Sequence, residues 1–492
     1  LRMSRGLGDV YKRQHIDHSG LIPLMYVNGF RGQVYSTSAT AQLCEIMLRD
    51  SAHIQMFEAE WRNRKAARSG GKLKEFVPLY DMDAAVNVCK QFVGCEYDRV
   101  YDIAEGIKIR FTDVGHLLGS ASIEVWATEK TENGDVTEKI VFSGDIGNIN
   151  KPIIKDPKHV RDADYVVMES TYGNRSHGGT PNYVEDLTDI FKRTFERGGN
   201  VVIPSFAVGR TQELLYIIRK IKEDNLVGRD FDVYMDSPLA IEATNIFIKN
   251  VESCFDDEAV ELVRKGINPL SFPGLKYATT GDESKQINFD PNPKVIISSS
   301  GMCEAGRIRH HLKHNLWRPE CTIVFVGYQA VGTTGRIIVD GAEEIKLFGE
   351  PIQIKAEIVQ LKGSSGHADK DGLLCWINAF DTKPKKVFVV HGEDSVCDEF
   401  TECLKEEYGY DAMAPYTGGS YDLIADRVIS EGVKERKTRR TTSTQRGKTV
   451  FDRLVAAGKR LMTVITHNEG GTNKDLAKFT DQINALCDKW DR

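Results

Sequence analysis

The stretch "HIDHSG" places His15, Asp17 and His18 within four residues of one another. Two imidazoles and a carboxylate so close together make a poor core motif, because each loses hydration on burial and needs a partner. They make a good metal loop. Donors of the same chemistry recur downstream: His116 in "FTDVGHLLGS", Asp145 in "VFSGDIGN" and His391 in "VFVVHGE". Each follows, or lies just beyond, a predicted strand, where side chains from different strands can converge. Imidazole and carboxylate together suit Zn2+, and an aspartate shared between two ions is a natural bridge for a two-metal centre. Isolated histidines are more often structural, and His53, His159 and His467 are read that way.

Converging side chains need sheets to hold them. Runs rich in β-branched residues predict strands at "KIRFT" from Lys108, "SIEVWAT" from Ser122, "KIVFSGD" from Lys139 and "YVVMEST" from Tyr165. Helical spacing predicts helices over 182–197 and 210–223. Strands near 200–204, 232–235, 294–300 and 321–327, each separated by a helical stretch, predict an α/β unit with parallel strands. After about residue 350 the pattern returns to strand ("KAEIVQLKG"), helix, strand ("KVFVVHGE"), helix. The segment "KERKTRRTTSTQRGK", 434–448, is basic and without apolar periodicity, so it is expected to be a linker or exposed arm. Two amphipathic patterns follow, over about 449–464 and 473–489.

Composition narrows the function classes. The chain of 492 residues, 41% hydrophobic and 28% charged, suits two or three globular domains. A formal charge of -6 argues against binding nucleic acid through a bulk positive field, while leaving room for a local basic groove. Ten scattered cysteines contain no C-x-x-C pair, which excludes a zinc knuckle or dithiol redox motif and suits reduced thiols in the cytosol. Apolar runs such as "VVIPSFAV" are too short to span a bilayer, and "LRMSRGLGD" lacks an export signal. The expectation is a cytoplasmic protein with no membrane partner.

Six segments in order, "HIDHSG", "GHLLGSAS", "SGDIG", "ESTYGNRSH", "GSSGHAD" and "VVHGE", resemble the metallo-β-lactamase fold nucleases that carry a β-CASP insertion. That family includes the 3′-end nuclease of the polyadenylation machinery and its bacterial and archaeal relatives. The resemblance covers about residues 15 to 420 and implies an α/β fold, a metallo-β-lactamase αββα sandwich with an inserted β-CASP α/β domain. It implies these segments: 15–175, the first metallo-β-lactamase part, truncated at its N-terminus; 176–348, the β-CASP domain; 349–420, the second metallo-β-lactamase part with the RNA-specificity motifs; and 421–492, a basic linker and helical extension. Residues 1–14 are expected to be a non-native tail, because "DVYKRQ" is what a transposon-end sequencing adaptor encodes in frame.

The resemblance also implies roles. One zinc is expected on His15, His116 and Asp145, the other on Asp17, His18, Asp145 and His391. Asp17, Glu169 and His367 are the implied catalytic residues, with His367 facing the scissile phosphate as general acid and Glu169 orienting it. The implied reaction is zinc-dependent hydrolysis of RNA phosphodiester bonds, in processing or decay, to a 5′ phosphate and a 3′ hydroxyl. A histidine at the last motif separates the RNA-directed members from the DNA-repair branch, so His391 points to single-stranded RNA. Self-association as a homodimer is left open.

Turns rich in glycine and serine could cradle phosphates on backbone N–H groups. The candidates are Ser300, Gly301 and Arg307 in "SSSGMCEAGR", Arg210 in "IPSFAVGRTQE", and Ser364 and Ser365 in "GSSGHAD". Simple N-capping by the serines explains any one turn equally well. The face of "RHHLKHNLW" with His310 and His314 is read as a solvated basic surface rather than a third metal site.

Two other functions stay in view. The family's metal loop has the form H-x-H-x-D-H, which puts its first histidine where this chain has Arg13, a side chain that cannot ligate zinc. A catalytically inactive RNA-binding member is one alternative; a DNA-directed nuclease of the same fold is the other. A small-molecule hydrolase is disfavoured because such enzymes lack counterparts of Glu169 and His367.

Overall fold

The runs "KIVF" and "YVVM" pair side by side in the interior of a seven-stranded sheet. A computed structural model describes residues 16–68, 75–132, 134–176, 178, 182–361, 365–433, 458, 461–462, 464–466 and 473–490. The sheet runs Ala412–Met413, Lys386–Val390, Tyr165–Glu169, Gly134–Phe142, Ala121–Thr131, Ile107–Asp113, Val100–Ala104. Strands 134–142, 165–169 and 386–390 are mutually parallel, and 107–113 points the same way across an antiparallel neighbour. Their C-terminal ends therefore gather at one edge.

Alternation along each strand decides which face it buries. Val141, Val166, Val387 and Val389 pack with Leu373, Trp376, Phe400 and Leu404 from the helices Lys370–Ile377 and Asp394–Glu406. Ile140, Tyr165 and Phe388 point the opposite way. A separate two-stranded parallel pair joins Val34–Thr37 to Phe92–Cys95.

The second sheet has six parallel strands in the order Leu275–Tyr277, Asp232–Asp236, Lys294–Ser298, Val201–Pro204, Thr322–Phe325, Glu357–Gln360. Parallel strands need helices on both faces, so their sequences are apolar throughout. Val201, Val233, Val295 and Val324 face the helices Tyr183–Glu196, Arg210–Glu223 and Pro238–Lys249. Val202, Ile296, Ile323 and Phe325 face Ile308, Leu312 and Leu316. Strand 357–360, from "KAEIVQLKG", adds to this sheet's edge by pairing with 322–325. The remaining quoted strand runs and both early helices, observed at Tyr183–Glu196 and Arg210–Glu223, form as expected.

The chain divides into residues 1–432 and 433–492. In the latter, Asn473–Trp490 is helical, matching the second amphipathic pattern. The basic arm at 434–448, the tail 1–14 and most of 449–464 lie outside the described residues. Among the described residues no helix is long and apolar enough to cross a membrane. All ten cysteines are free thiols.

Asp113 ends the strand that leads to His116, and it is 4% exposed. Its Oδ1 accepts from Gly115 N at 2.9 Å, bracing the turn. Burial, only partly offset by that bond and by Lys155 and Lys158, pushes its pKa up to about 6. Folding therefore favours the neutral acid. The stabilisation is complete below the unfolded value near 3.8 and is lost as pH rises through about 6. Asp113→Asn, which keeps the acceptor, should raise stability at pH 8 by on the order of 2 kcal/mol, seen as a higher thermal midpoint, and do nothing near pH 4. A midpoint gain independent of pH would contradict this reading.

Candidate metal centre

Three loops at the C-terminal edge of the seven-stranded sheet, carrying His116, Asp145 and His391, meet the short helix Ile16–Ser19, which carries Asp17 and His18. The loop after 134–142 carries Asp145, and it is fixed from both sides. Glu169 N donates to Ser143 Oγ at 3.0 Å, and Glu169 Oε1 accepts from Ile146 N at 2.5 Å. Gly147 N donates to Val114 O at 2.9 Å, so this loop lies directly on the His116 turn. A Cβ on Gly147 would sit 2.0 Å from Gly115 O, which no other residue could tolerate. Ser120 Oγ accepts from both His116 N and Leu117 N, at 3.0 and 3.1 Å, closing that turn.

The Asp145 carboxylate is the hub. Oδ2 accepts from His18 Nε2 at 3.0 Å and lies 3.7 Å from His116 Nε2. Oδ1 lies 3.2 Å from His391 Nε2, which is 4.0 Å from Asp17 Oδ2. His391 itself adopts φ +52°, a left-handed conformation uncommon for an L residue. The donors form two groups within reach of an ion: exposed Asp17, His18 and His391, and the more enclosed His116, Asp145 and His367.

His367 arrives on the "GSSGHAD" segment, which docks on the Asp145 loop through Ala368 N to Ile146 O at 2.7 Å. Its Nδ1 donates to Glu169, with oxygens at 3.1 and 3.2 Å. The His116 and His367 rings are 4.4 Å apart. Burial opposes charge on His367, but the charge and hydrogen bond of Glu169, with Asp145, outweigh it and raise its pKa to about 9. His18 behaves alike: burial opposes its charge, and Asp145 raises it to about 9.

These residues fit a metal. Asp145 Oδ1 is buried and accepts no aligned hydrogen bond among the described residues, despite the nearby His391. An oxygen left in that state fits a ligand better than a structural acceptor. Imidazole and carboxylate donors of this kind suit zinc. His15 lies outside the described residues.

Residues 211–338 match the model of the Beta-Casp domain, and residues 351–415 match the Zn-dependent metallo-hydrolase RNA specificity domain. A ribonuclease of Thermus thermophilus is 33% identical over 380 residues, covering 77% of this chain and 80% of the relative. The chain belongs to the metallo-β-lactamase fold ribonucleases with a β-CASP domain. An RNase J-like protein of Methanocaldococcus jannaschii is 30% identical, over 78% of this chain and 81% of its own. The transcription termination factor FttA of Methanosarcina mazei is 32% identical over 81% of this chain, which spans 60% of that longer protein. Strands Asp232–Asp236, Leu275–Tyr277, Lys294–Ser298 and Thr322–Phe325 of the six-stranded sheet, hereafter the β-CASP sheet, lie within the Beta-Casp match, while its edge strand Glu357–Gln360 falls within the RNA specificity match.

The turns singled out as phosphate cradles differ in what they hold. Ser300 and Gly301 follow strand 294–298, with Ser300 Oγ donating to Ala305 O at 3.2 Å. Arg307 turns inward: NH1 donates to Asp236 at 2.7 Å and Ala278 O at 2.9 Å, and NH2 to Thr279 O at 2.8 Å. Arg210 pairs with Glu213 at 2.6 Å. Ser365 Oγ accepts from His367 N at 3.1 Å, and Ser364 lies outside the described residues. His310 and His314 are solvent-exposed and join neither donor group.

Two participants escaped the sequence reading. Gly366 O accepts from His116 Nδ1 at 3.1 Å and orients that ring. Tyr172 sits edge-on to His367, with centroids 6.2 Å apart. Both lie inside the quoted segments "GSSGHAD" and "ESTYGNRSH", which was the available signal.

His18 must lose its proton to ligate an ion, and its pKa near 9 keeps it charged at neutral pH in the ion-free chain. Zinc uptake at pH 7.5 should therefore release protons, and apparent affinity should fall as pH drops below about 9. Calorimetry in buffers of different ionisation enthalpy reads the proton count; zero release would exclude His18 as a ligand.

Proposed function

We propose that this chain is a zinc-dependent ribonuclease that hydrolyses phosphodiester bonds of single-stranded RNA. The observation that carries the reading is the Glu169–His367 pair set against the Asp145 hub, at 3.1 Å from carboxylate to imidazole. His116 and Asp145, with His15, would hold one zinc; Asp17, His18, Asp145 and His391 would hold the other. Bound zinc would acidify water and offset charge building on the phosphate.

The chain's own residues supply the rest. Glu169 keeps His367 protonated, which makes it a poor ligand and a ready proton donor. Water attacks phosphorus, the P–O3′ bond breaks, and His367 gives its proton to the departing 3′ oxygen. The products are a 5′ phosphate and a 3′ hydroxyl. Asp17, at the exposed rim 4.0 Å from His391, would take the proton that water loses. The likeness to the Thermus thermophilus ribonuclease supports RNA as substrate.

His367→Ala should lower the rate of RNA cleavage at least about a hundred-fold while leaving zinc content unchanged. Cleavage of 5′-labelled and internally labelled single-stranded RNA, with zinc measured on the same samples, tests this. A zinc-loaded chain that leaves RNA intact, or full activity in His367→Ala, would defeat the proposal.

A further inference from the structure

The loop after Asp145 carries Lys151, a cation that the proposed chemistry does not use. Its side chain is 11% exposed, and Nζ lies 3.3 Å from Glu213 Oε1. The same Nζ donates to the backbone carbonyl of His116 at 2.8 Å. The other oxygen of Glu213 pairs with Arg210 at 2.6 Å. Arg210 and Glu213 occupy the first turn of helix Arg210–Glu223 on the β-CASP sheet, whereas Lys151 and His116 lie in loops of the seven-stranded sheet.

Stability alone does not explain a buried trio of ions. Removing each from water costs several kcal/mol, and apolar residues of equal volume often serve as well. Apolar contact across this boundary already exists: Leu118, Ile153 and Ile154 share one core cluster with Leu187, Leu214 and Phe255. A backbone carbonyl, however, can be held only by a donor, and an ammonium is a strong one.

His116 is thereby gripped from two directions. Lys151 holds its carbonyl, and Gly366 O accepts from its Nδ1 at 3.1 Å. A Cβ on Gly366 would lie 3.2 Å from His116 Cε1 and 3.8 Å from Lys151 Nζ, so the three groups pack in one place. We infer that Lys151, held by Glu213, is a positioning residue that fixes His116 for metal binding, so that a β-CASP helix sets the geometry of the metal centre. The inference rests on the reading of His116 as a ligand. It assigns Lys151 an effect on ion affinity and turnover, with none on RNA binding.

Lys151→Met and Glu213→Gln should each weaken zinc binding about ten-fold or more, measured by competition with a chromophoric chelator. They should lower kcat by a similar factor. KM, and the affinity of the zinc-free chain for a fluorescent single-stranded RNA, should stay within about two-fold, because neither group touches substrate. Lys151→Arg keeps a charged donor and should recover part of the zinc affinity. Thermal unfolding checks each variant; if Lys151→Met fails to fold, Glu213→Gln, which keeps the side-chain volume, carries the test. Unchanged zinc affinity in folded variants would overturn the inference. So would a raised KM at constant kcat, which would make Lys151 a substrate contact. Weakened zinc binding in a chain that never cleaves RNA would uphold the inference while defeating the nuclease reading.

Discussion

An ionised carboxylate in a buried loop is the constraint on which the rest of this site depends. Burial alone would push the Asp145 carboxyl up, yet the hydrogen bond from His18 and the nearby charges of His18, His367 and His116 hold it well below the ordinary value. Those imidazoles come from separate segments of the chain. Each must be delivered to within a few ångströms, and a uniquely placed anion at the sheet edge rewards all of them together. The same carboxylate offers an oxygen to each donor group, so the two groups cannot be arranged independently.

The β-CASP layer meets this edge with a different logic. Its parallel strands end in a serine-rich turn after Lys294–Ser298 and in the turn that opens helix Arg210–Glu223. Arg307 braces the first turn from behind through Asp236, a carboxylate that also accepts from His311 at 2.6 Å and Ser284 at 2.6 Å. The charge of that arginine is therefore engaged within the protein. The serine hydroxyls of the turn are engaged as well: Ser298 Oγ donates to Asp236 O at 2.8 Å, Ser299 Oγ to Ser237 Oγ at 3.0 Å and Ser300 Oγ to Ala305 O at 3.2 Å.

Much of this was legible in the sequence because the donors sit next to the strands that deliver them. His116, Asp145 and His391 follow apolar runs whose period and length already define strands, so their convergence could be read without coordinates. The long helix Ser38–Arg68 went unread, although its buried residues Ala39, Leu43, Met47, Leu48 and Ala52 recur at helical spacing; only the charged end "EAEWRNRKAAR" blurs the pattern. Arg307 looked like a phosphate binder because its partner Asp236 lies 71 residues away. Lys151 and Glu213 were invisible for the same reason. Ion pairs between layers leave no local pattern, whereas ligand loops do. Strand Glu357–Gln360 was recognised as a strand, but sheet membership depends on pairing, which no run of residues records.

Glu169 is the last residue of its strand before the chain departs for the β-CASP sheet, and His367 lies on its return. The hydrogen bond between them spans 198 positions of sequence. Closing a loop of that length costs about 5 kcal/mol in chain entropy, more than the roughly 1.5–3 kcal/mol one charged hydrogen bond returns. The pair cannot close the loop by itself; the folded insertion must bring its own ends together. His367, the proposed proton donor, is thus mounted on the clasp of the inserted domain. A chain whose insertion has not folded lacks His367 beside Asp145, so completeness of the fold is a precondition built into the proposed chemistry.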